Sequence, residues 1–191
     1  MIFGYAKEKK LLLIGIKIIH NMNIVEINSQ PKEIFINKFK NIFEKTTFIT
    51  EDAENQRPYK NKIHMINIFI SIYNLLDIEK KIKIICSHPD LGDKIKINQG
   101  LTRLSQDEQS QAGLADCTEG EFKLFNELNT AFKLKFNIPF IFAVKGKYKN
   151  DIIKEFNSRL SNSHVDSEID ISIEQVKKIA LLRLEEIVDG K

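Results

Sequence analysis

A histidine in a proline-containing loop is the side chain of this sequence best suited to acid–base chemistry. His88 precedes Pro89, which disfavours helical backbone at His88, and the loop continues through Asp90-Leu91-Gly92. Histidine titrates near neutral pH, and loops on a rigid scaffold often carry catalytic residues. The residues alone leave two interpretations open: His88 is a catalytic acid or base, or it is a histidine that braces the loop.

A second polar group lies at the predicted start of a helix. Ser105, Glu108 and Gln109 are spaced i, i+3 and i+4, so one helical turn would present a hydroxyl, a carboxylate and an amide together. The free N–H groups of a helix N-terminus would also favour an anionic ligand. The alternative is a structural capping box, in which Ser105 is the N-cap and Glu108 bonds back to it.

Arg183 lies in the apolar stripe of the last predicted helix. Val176 is seven residues earlier, close to two helical turns, and Ile179 and Ile187 lie one turn on either side. A buried guanidinium needs an anion, either a protein carboxylate or a substrate carboxylate. The alternative is that the Arg183 side chain runs along the edge of the stripe and reaches water.

Other catalytic chemistries and metal sites find little support in the sequence. His20, His64 and His164 show no metal-ligand spacing, and there is no glycine-rich phosphate loop and no Gly-x-Ser-x-Gly motif. Cys86 and Cys117 also lack metal-type spacing and indicate a reduced intracellular protein. Cys86 could act as a nucleophile, but a core thiol at the end of an apolar helix is the favoured interpretation.

Apolar periodicity predicts an all-α, single-domain chain around these groups. Residues 61–76 are apolar around most of the helical circumference, which is typical of a helix in the middle of a bundle. Thr118 and Glu121 repeat the capping-box pattern, and the helix that follows must end before Pro139 and a buried apolar segment at residues 140–144. Further helices are predicted around Phe35, Phe39 and Phe43, at residues 78–85, at residues 151–160, and at residues 172–188 behind a third capping box, Ser172 and Gln175.

The length of the chain fits one domain, and its charge bears on the class of partner. The 191 residues are 42% hydrophobic and 29% charged, enough for one core, and a net charge of +3 without basic and aromatic runs argues against nucleic acid. Residues 1–21 contain an apolar run of about ten residues, too short to span a bilayer. We expect residues 1–21 to be an extension upstream of a domain at 22–191, with weak attachment to a membrane surface as the alternative.

Several motifs in a fixed order resemble those of one enzyme family. They are Phe43-Glu44, Arg57-Pro58-Tyr59, His88-Pro89-Asp90-Leu91-Gly92, Ser105-x-x-Glu108-Gln109, Phe125-x-x-Leu128-Asn129, Pro139-Phe140-Ile141-x-Ala143-Val144, Arg159-Leu160-x-Asn162 and Arg183-Leu184. Together they resemble the 2-oxo-4-hydroxy-4-carboxy-5-ureidoimidazoline (OHCU) decarboxylase family of urate degradation, over residues 24–188. The His-Pro-Asp-Leu loop combined with the Ser-x-x-Glu-Gln helix start is specific, although neither alone would be.

The resemblance implies a fold, a reaction and a set of site residues. The fold is an all-α, single-domain helical bundle of the OHCU decarboxylase type, homodimeric and with neither a metal nor an organic cofactor. The reaction is stereoselective decarboxylation of OHCU to (S)-allantoin, with His88 and Glu108 as the catalytic pair. The implied substrate-binding residues are Pro89, Ser105, Gln109, Phe140, Ile141, Phe142, Ala143, Val144 and Arg183.

One alternative remains within the same fold. A catalytically silent helical protein would bind a purine-like ligand or a partner chain, but it would have no reason to keep His88, Glu108 and Arg183 together. We therefore expect an enzyme that acts on a small molecule, with neither nucleic acid nor a membrane as partner. The chain does not end in the peroxisomal signal Ser-Lys-Leu, so we expect a cytoplasmic location.

Overall fold

The computed structural model describes residues 22–92, 101–162 and 164–189, and these ranges contain nine α-helices and one short 3-10 helix. The helices are α1 (Ile24–Ser29), α2 (Lys32–Phe39), α3 (Thr47–Glu54), α4 (Lys62–Asn74), α5 (Ile78–Ser87), α6 (Arg103–Gln111), the 3-10 helix Leu114–Asp116, α7 (Glu119–Phe136), α8 (Lys149–Asn162) and α9 (Val165–Ile187). The predicted extension at residues 1–21 lies outside the described residues. The all-α prediction is confirmed, and none of the described helices is long and apolar enough to cross a membrane.

An aromatic cluster holds α7 and α8 against the segment at residues 140–144. Phe140 and Phe156 stack with ring centroids 3.6 Å apart, and Phe132 meets Phe140 edge-on at 5.1 Å. All three rings are fully buried, which stabilises the fold by about 2 kcal/mol for each side chain. Because Phe140 begins the predicted buried segment, the cluster fixes where that segment lies.

Helix α4 packs through one face only. Met65, Phe69 and Tyr73 follow at i, i+4 and i+8 and are completely buried, whereas Ile63 is 69% exposed. The prediction that this helix lies in the middle of the bundle is therefore wrong for the part of the chain that the structure describes. The other isoleucines off the buried stripe, Ile66, Ile68, Ile70 and Ile72, are partly covered by neighbouring side chains.

Two helices begin earlier than their capping patterns predicted. Thr102 is the N-cap of α6 and accepts a hydrogen bond from the Ser105 N–H at 3.3 Å, so Ser105 lies inside the first turn. Helix α9 begins after His164, so Ser172 and Gln175 lie inside it. The capping boxes predicted at Ser105 and Ser172 are therefore wrong: Ser105 donates to Glu44, and Ser172 donates to Glu168 one turn earlier in α9.

The remaining predicted capping box, at Thr118 and Glu121, is present and starts α7. Thr118 accepts a hydrogen bond from the Glu121 N–H, and the Glu121 carboxylate accepts one from the Thr118 N–H. At the other end, Asn137 takes left-handed backbone with a φ of 57°, and Pro139 follows. The chain then runs through the buried segment at residues 140–144 without forming a helix, as predicted.

Candidate active site

The loop at residues 88–92 leaves helix α5 because its residues cannot continue a helix. His88 has extended backbone (φ −73°, ψ 142°), as expected for a residue before proline. Gly92 has a φ of +71°, and a Cβ there would lie 2.8 Å from Phe125 Cγ on α7. Only glycine combines left-handed backbone with so close an approach to a ring. The loop therefore lies directly against α7.

Two amide side chains hold the backbone of this loop. Gln109 accepts a hydrogen bond from the Gly92 N–H (3.1 Å) and donates one to the Asp90 carbonyl (3.3 Å). Asn129 on α7 donates to the Leu91 carbonyl (2.9 Å). Gln109 was predicted to bind substrate, and in the structure both of its polar atoms are bonded to the loop. Its position therefore determines where the loop lies relative to α6.

The hydrogen bond of His88 defines its tautomer. Nδ1 lies 2.9 Å from the Ile84 carbonyl, which can only accept, so Nδ1 carries the proton. Nε2 is buried and has no hydrogen-bond partner among the described residues. Burial, followed by the positive charge of Arg183, lowers the pKa of His88 to about 4, although the Glu44 carboxylate opposes the shift. At pH 7 the ring is therefore neutral, and Nε2 has the free lone pair of a general base.

Arg183 joins α6 and the segment at residues 41–44 to the last helix. Its Nε and Nη2 donate to the two oxygens of Glu108 at 2.7 and 2.8 Å, a bidentate pair. Nη2 also donates to Ser105 Oγ (3.0 Å), and Nη1 donates to the Asn41 carbonyl (2.7 Å) and to Glu44 (3.1 Å). Arg183 is only 2% exposed, so the interpretation that it reaches water is wrong, and its anions here are protein carboxylates.

Burial and the neighbouring carboxylates have opposite effects on the pKa of Arg183. Burial alone would lower the pKa of Arg183, but the hydrogen bonds and charges of Glu108 and Glu44 outweigh burial and raise it. The guanidinium therefore stays charged beside His88. This fixed charge is one cause of the low pKa of His88 described above.

Glu44 is the ionisable residue of this region that sequence reasoning missed. Its carboxylate is completely buried, and Oε2 accepts hydrogen bonds from Ser105 (2.7 Å), Thr102 (3.1 Å) and Arg183. The available signal was its place directly after the buried Phe43. An acidic residue in that place is more often exposed, so sequence alone did not distinguish Glu44 from a surface carboxylate.

Ten of the eleven predicted site residues line one cavity. They are His88, Pro89, Ser105, Glu108, Gln109, Phe140, Ile141, Phe142, Val144 and Arg183. The exception is Ala143, whose N–H is instead bonded to Gln175 on α9 (3.0 Å). Leu91 and Ile179 also line the cavity and were not predicted. The cavity thus has one polar side, from the loop, α6 and Arg183, and one apolar side, from residues 140–144.

The cavity is small and reaches solvent on one side. Its volume is about 30 Å³, enough for a water molecule or two. Pro89, Glu108 and Phe142 are the lining residues that are only half-buried, so they form its mouth. A wider and more open depression of about 840 Å³ on α7 contains none of the predicted site residues.

A buried ion pair fixes the apolar wall. Arg159 on α8 donates to the Ile141 carbonyl (2.7 Å) and pairs with Glu168 on α9, and both side chains are at most 5% exposed. The Arg159 guanidinium also lies over the Phe140 ring, 4.5 Å from its centroid. Ser172 donates to Glu168 at 3.2 Å, which accounts for a serine that was predicted to cap a helix.

Cys86 lies outside the cavity. Cys86 is exposed, so the prediction of a core thiol is wrong, and the neighbouring Ile84 and Ile85 occupy the buried face of α5 instead. Partial burial raises the pKa of the Cys86 thiol, which opposes formation of a nucleophilic thiolate. Within the ranges that the structure describes, no cluster of His, Cys, Asp or Glu has the composition of a metal site.

Comparison with known protein families gives a match to the OHCU decarboxylase model over residues 28–185. That range covers most of the chain and includes every residue that lines the cavity. The chain belongs to the OHCU decarboxylase family. The resemblance to this family is thus confirmed, and four of the motifs contribute residues to the cavity: those that begin at His88, Ser105, Pro139 and Arg183.

Two relatives show how far the similarity extends. The chain is 34% identical over 163 residues to the 2-oxo-4-hydroxy-4-carboxy-5-ureidoimidazoline decarboxylase of Xenopus laevis, which covers 85% of this chain and 93% of that protein. It is 36% identical over 166 residues to the uric acid degradation bifunctional protein of Bacillus sp. strain TB-90. That match covers 87% of this chain and 32% of the relative, so the chain spans about a third of the bifunctional protein.

A solved structure confirms the OHCU decarboxylase type of helical bundle. The crystal structure of an OHCU decarboxylase in the presence of (S)-allantoin matches with a TM-score of 0.63, covering 81% of this chain and 96% of that chain. The sequence identity is 19%, so the match concerns the fold.

Proposed function

We propose that the protein is a carboxy-lyase that decarboxylates OHCU to (S)-allantoin in urate degradation. The observation that carries this proposal is the free Nε2 of His88, a buried base that shares one cavity with the Glu108–Arg183 pair. Membership of the OHCU decarboxylase family supports the same reaction. A base, a carboxylate and a cation beside an apolar wall suit a small, polar, anionic ring compound.

The substrate provides its own electron sink. When the bond between C4 and the carboxylate breaks, carbon dioxide leaves and the electron pair moves into the C4–C5 bond and toward the ring imine nitrogen. The ring nitrogen that receives the electron pair takes up a proton from solvent, the C4 hydroxyl loses its proton to become a carbonyl, and C5 gains a proton. The reaction therefore needs a proton acceptor at the hydroxyl and a proton donor on one face of C5. Independence from metals and organic cofactors accords with this chemistry and stays a prediction.

His88 is suited to accept the hydroxyl proton. Its ring is held by the Nδ1–H bond to the Ile84 carbonyl, so Nε2 keeps one direction in the cavity. The imidazolium that forms would gain from the carboxylate of Glu108, which Arg183 holds by two hydrogen bonds. The proton on His88 is then delivered to C5, either directly or by way of the Glu108 carboxylate. Because the groups lie on one side of the cavity, the proton reaches one face of the ring, which gives a single enantiomer.

The other predicted site residues either form hydrogen bonds within the protein or line the cavity. Ser105, Gln109 and Arg183 are bonded to protein groups, so a direct contact of any of them with OHCU requires an exchange of partners. The cavity must also widen to admit a substituted ring, and the half-buried Pro89 and Phe142 at the mouth are the residues best placed to move. The apolar wall at residues 140–144 would face the ring.

The reaction can be followed by circular dichroism while urate oxidase and hydroxyisourate hydrolase act on urate. OHCU decays unaided to racemic allantoin, so optical activity reports an enzyme. We expect the OHCU signal to disappear faster with the protein than without it, and a lasting (S)-allantoin signal to replace it. Decay at the unaided rate would contradict the proposal and favour a catalytically silent protein that binds a purine-like ligand or a partner chain.

The resemblance also suggests a homodimer, which light scattering after size-exclusion chromatography can test. We expect a mass of about twice the 22.1 kDa of one chain. A mass near that of a single chain would contradict the dimer without affecting the proposed reaction. The cytoplasmic location stays a prediction.

A further inference from the structure

Glu44 is a completely buried carboxylate to which the proposed reaction gives no role. It does not line the cavity, yet its Oε2 accepts hydrogen bonds from Thr102, Ser105 and Arg183. Its Oε1 is also buried and has no hydrogen-bond partner among the described residues. A buried carboxylate costs free energy unless it is paired, and leaving one oxygen unbonded adds to that cost. This unfavourable free energy indicates that Glu44 has a role beyond packing.

The contacts of Glu44 connect the three elements that form the polar side of the cavity. Its backbone carbonyl accepts a hydrogen bond from Ser87 Oγ (2.7 Å), the residue directly before His88. Its carboxylate holds the first turn of α6, which carries Glu108 on its next turn. It also holds Arg183 on α9. Glu44 therefore contacts the elements that carry the base, the carboxylate and the cation.

Glu44 also sets the charge of the site. Arg183, the one cation that the described residues place at this cavity, is shared between two carboxylates, because Glu108 takes Nε and Nη2 while Glu44 takes Nη1. Among the described residues, Glu44 interacts with two other titratable groups, Arg183 on α9 and His88 in the loop, and Glu108 on α6 shares Arg183 with it. With His88 neutral, Glu44 supplies the second negative charge beside one positive charge.

We propose that Glu44 is a positioning residue for the decarboxylation, which holds Arg183 and the start of the Glu108 helix in place and adds a negative charge beside His88. This inference rests on the proposed function, because it concerns the same site. The charge has a measurable consequence: Glu44 raises the pKa of His88 against the lowering effects of burial and Arg183. Removal of the charge must therefore make His88 harder to protonate.

Two substitutions separate the charge from the geometry. Glu44→Gln keeps a similar shape and an oxygen acceptor but removes the charge, so we expect kcat to fall about tenfold and the acid limb of the pH profile of kcat/KM to move down by about one pH unit. Glu44→Asp keeps the charge but withdraws the carboxylate by one methylene. For Glu44→Asp we expect a fall in kcat with no movement of the acid limb.

The matched control is Glu168→Gln. Glu168 is also a completely buried carboxylate paired with a buried arginine, but it pairs with Arg159 and does not contact the polar side of the cavity. We expect Glu168→Gln to lower stability and to leave the acid limb where it is in the wild type. If Glu44→Gln gives the same stability loss with an unmoved acid limb, or if Glu44→Asp keeps the wild-type kcat, the proposal is wrong.

An NMR titration of the His88 imidazole gives a readout without substrate. The His88 signal is assigned by its loss in His88→Gln, and we expect it to titrate at lower pH in Glu44→Gln than in the wild type. An unchanged titration would overturn the charge role of Glu44. A wild type without decarboxylase activity, but with the expected shift in Glu44→Gln, would overturn the proposed function and leave the effect of the Glu44 charge on His88 in place.

Discussion

Substitution of Gly92 by alanine tests whether the loop at residues 88–92 depends on close contact with α7. The new Cβ would meet Phe125 Cγ at 2.8 Å, and the φ of +71° disfavours any residue with a Cβ. The backbone effect costs about 1–2 kcal/mol. Overpacking against a buried ring costs about 1–3 kcal/mol more. We therefore expect Gly92→Ala to reduce the free energy of unfolding by about 2–5 kcal/mol.

Gly113→Ala is the matched control. Gly113 has nearly the same backbone, with a φ of +76°, but a Cβ there would have nothing within 4 Å. Only the backbone cost of about 1–2 kcal/mol should remain. The difference between the two variants in urea-induced unfolding therefore measures the clash with Phe125.

Activity separates the two variants further. Displacement of the loop by even a fraction of an ångström moves His88, and a misplacement of about 1 Å can cost about 100-fold in rate. We expect kcat/KM to fall by roughly that factor in Gly92→Ala and to stay near the wild-type value in Gly113→Ala. Equal stability losses, with wild-type activity in Gly92→Ala, would refute the reasoning that the loop is held by its contact with α7.

Two further substitutions address the buried charges. Between pH 6.5 and 4 the unfolded chain binds a proton at His88, whereas the folded protein, in which the pKa of His88 is about 4, does not. The free energy of unfolding therefore decreases by up to about 3 kcal/mol as the pH is lowered from 6.5 to 4. Urea unfolding at pH 7 and 4.5 should show a smaller loss in His88→Gln, and equal losses would contradict the low pKa. Arg183→Met leaves Glu44 and Glu108 without their cation and should cost about 3–5 kcal/mol, more than Arg183→Lys; a loss under 1 kcal/mol would contradict the paired arrangement.

The residues near the His88 loop were predictable because their signals are local. A proline after His88 excludes helical backbone there, and the capping pattern of Thr118 and Glu121 places the start of α7. The buried segment at residues 140–144 follows from Pro139 and a continuous apolar run. Each of these signals lies within a few residues of the feature that it predicts.

The long-range contacts of the site were not predictable from the sequence. Nothing near Arg183 indicates that Glu108, 75 positions earlier, is its partner, or that Glu44 is buried. Ser105 and Ser172 resembled caps because the Ser-x-x-Glu/Gln pattern also occurs within helices, where the Ser105 hydroxyl bonds the distant Glu44 and the Ser172 hydroxyl bonds Glu168 one turn earlier. Tertiary packing decides between these uses, and one sequence does not report it.

The claim that His88 is the base is tested most directly by the rate of (S)-allantoin formation in His88→Gln. Glutamine removes the Nε2 lone pair while keeping a polar side chain of similar reach. At pH 7.5 we expect the initial rate to fall by about 10²–10⁴-fold, with the variant still folded by circular dichroism. A His88→Gln variant that forms (S)-allantoin within a few-fold of the wild-type rate would contradict the account, because the proton acceptor would then lie elsewhere.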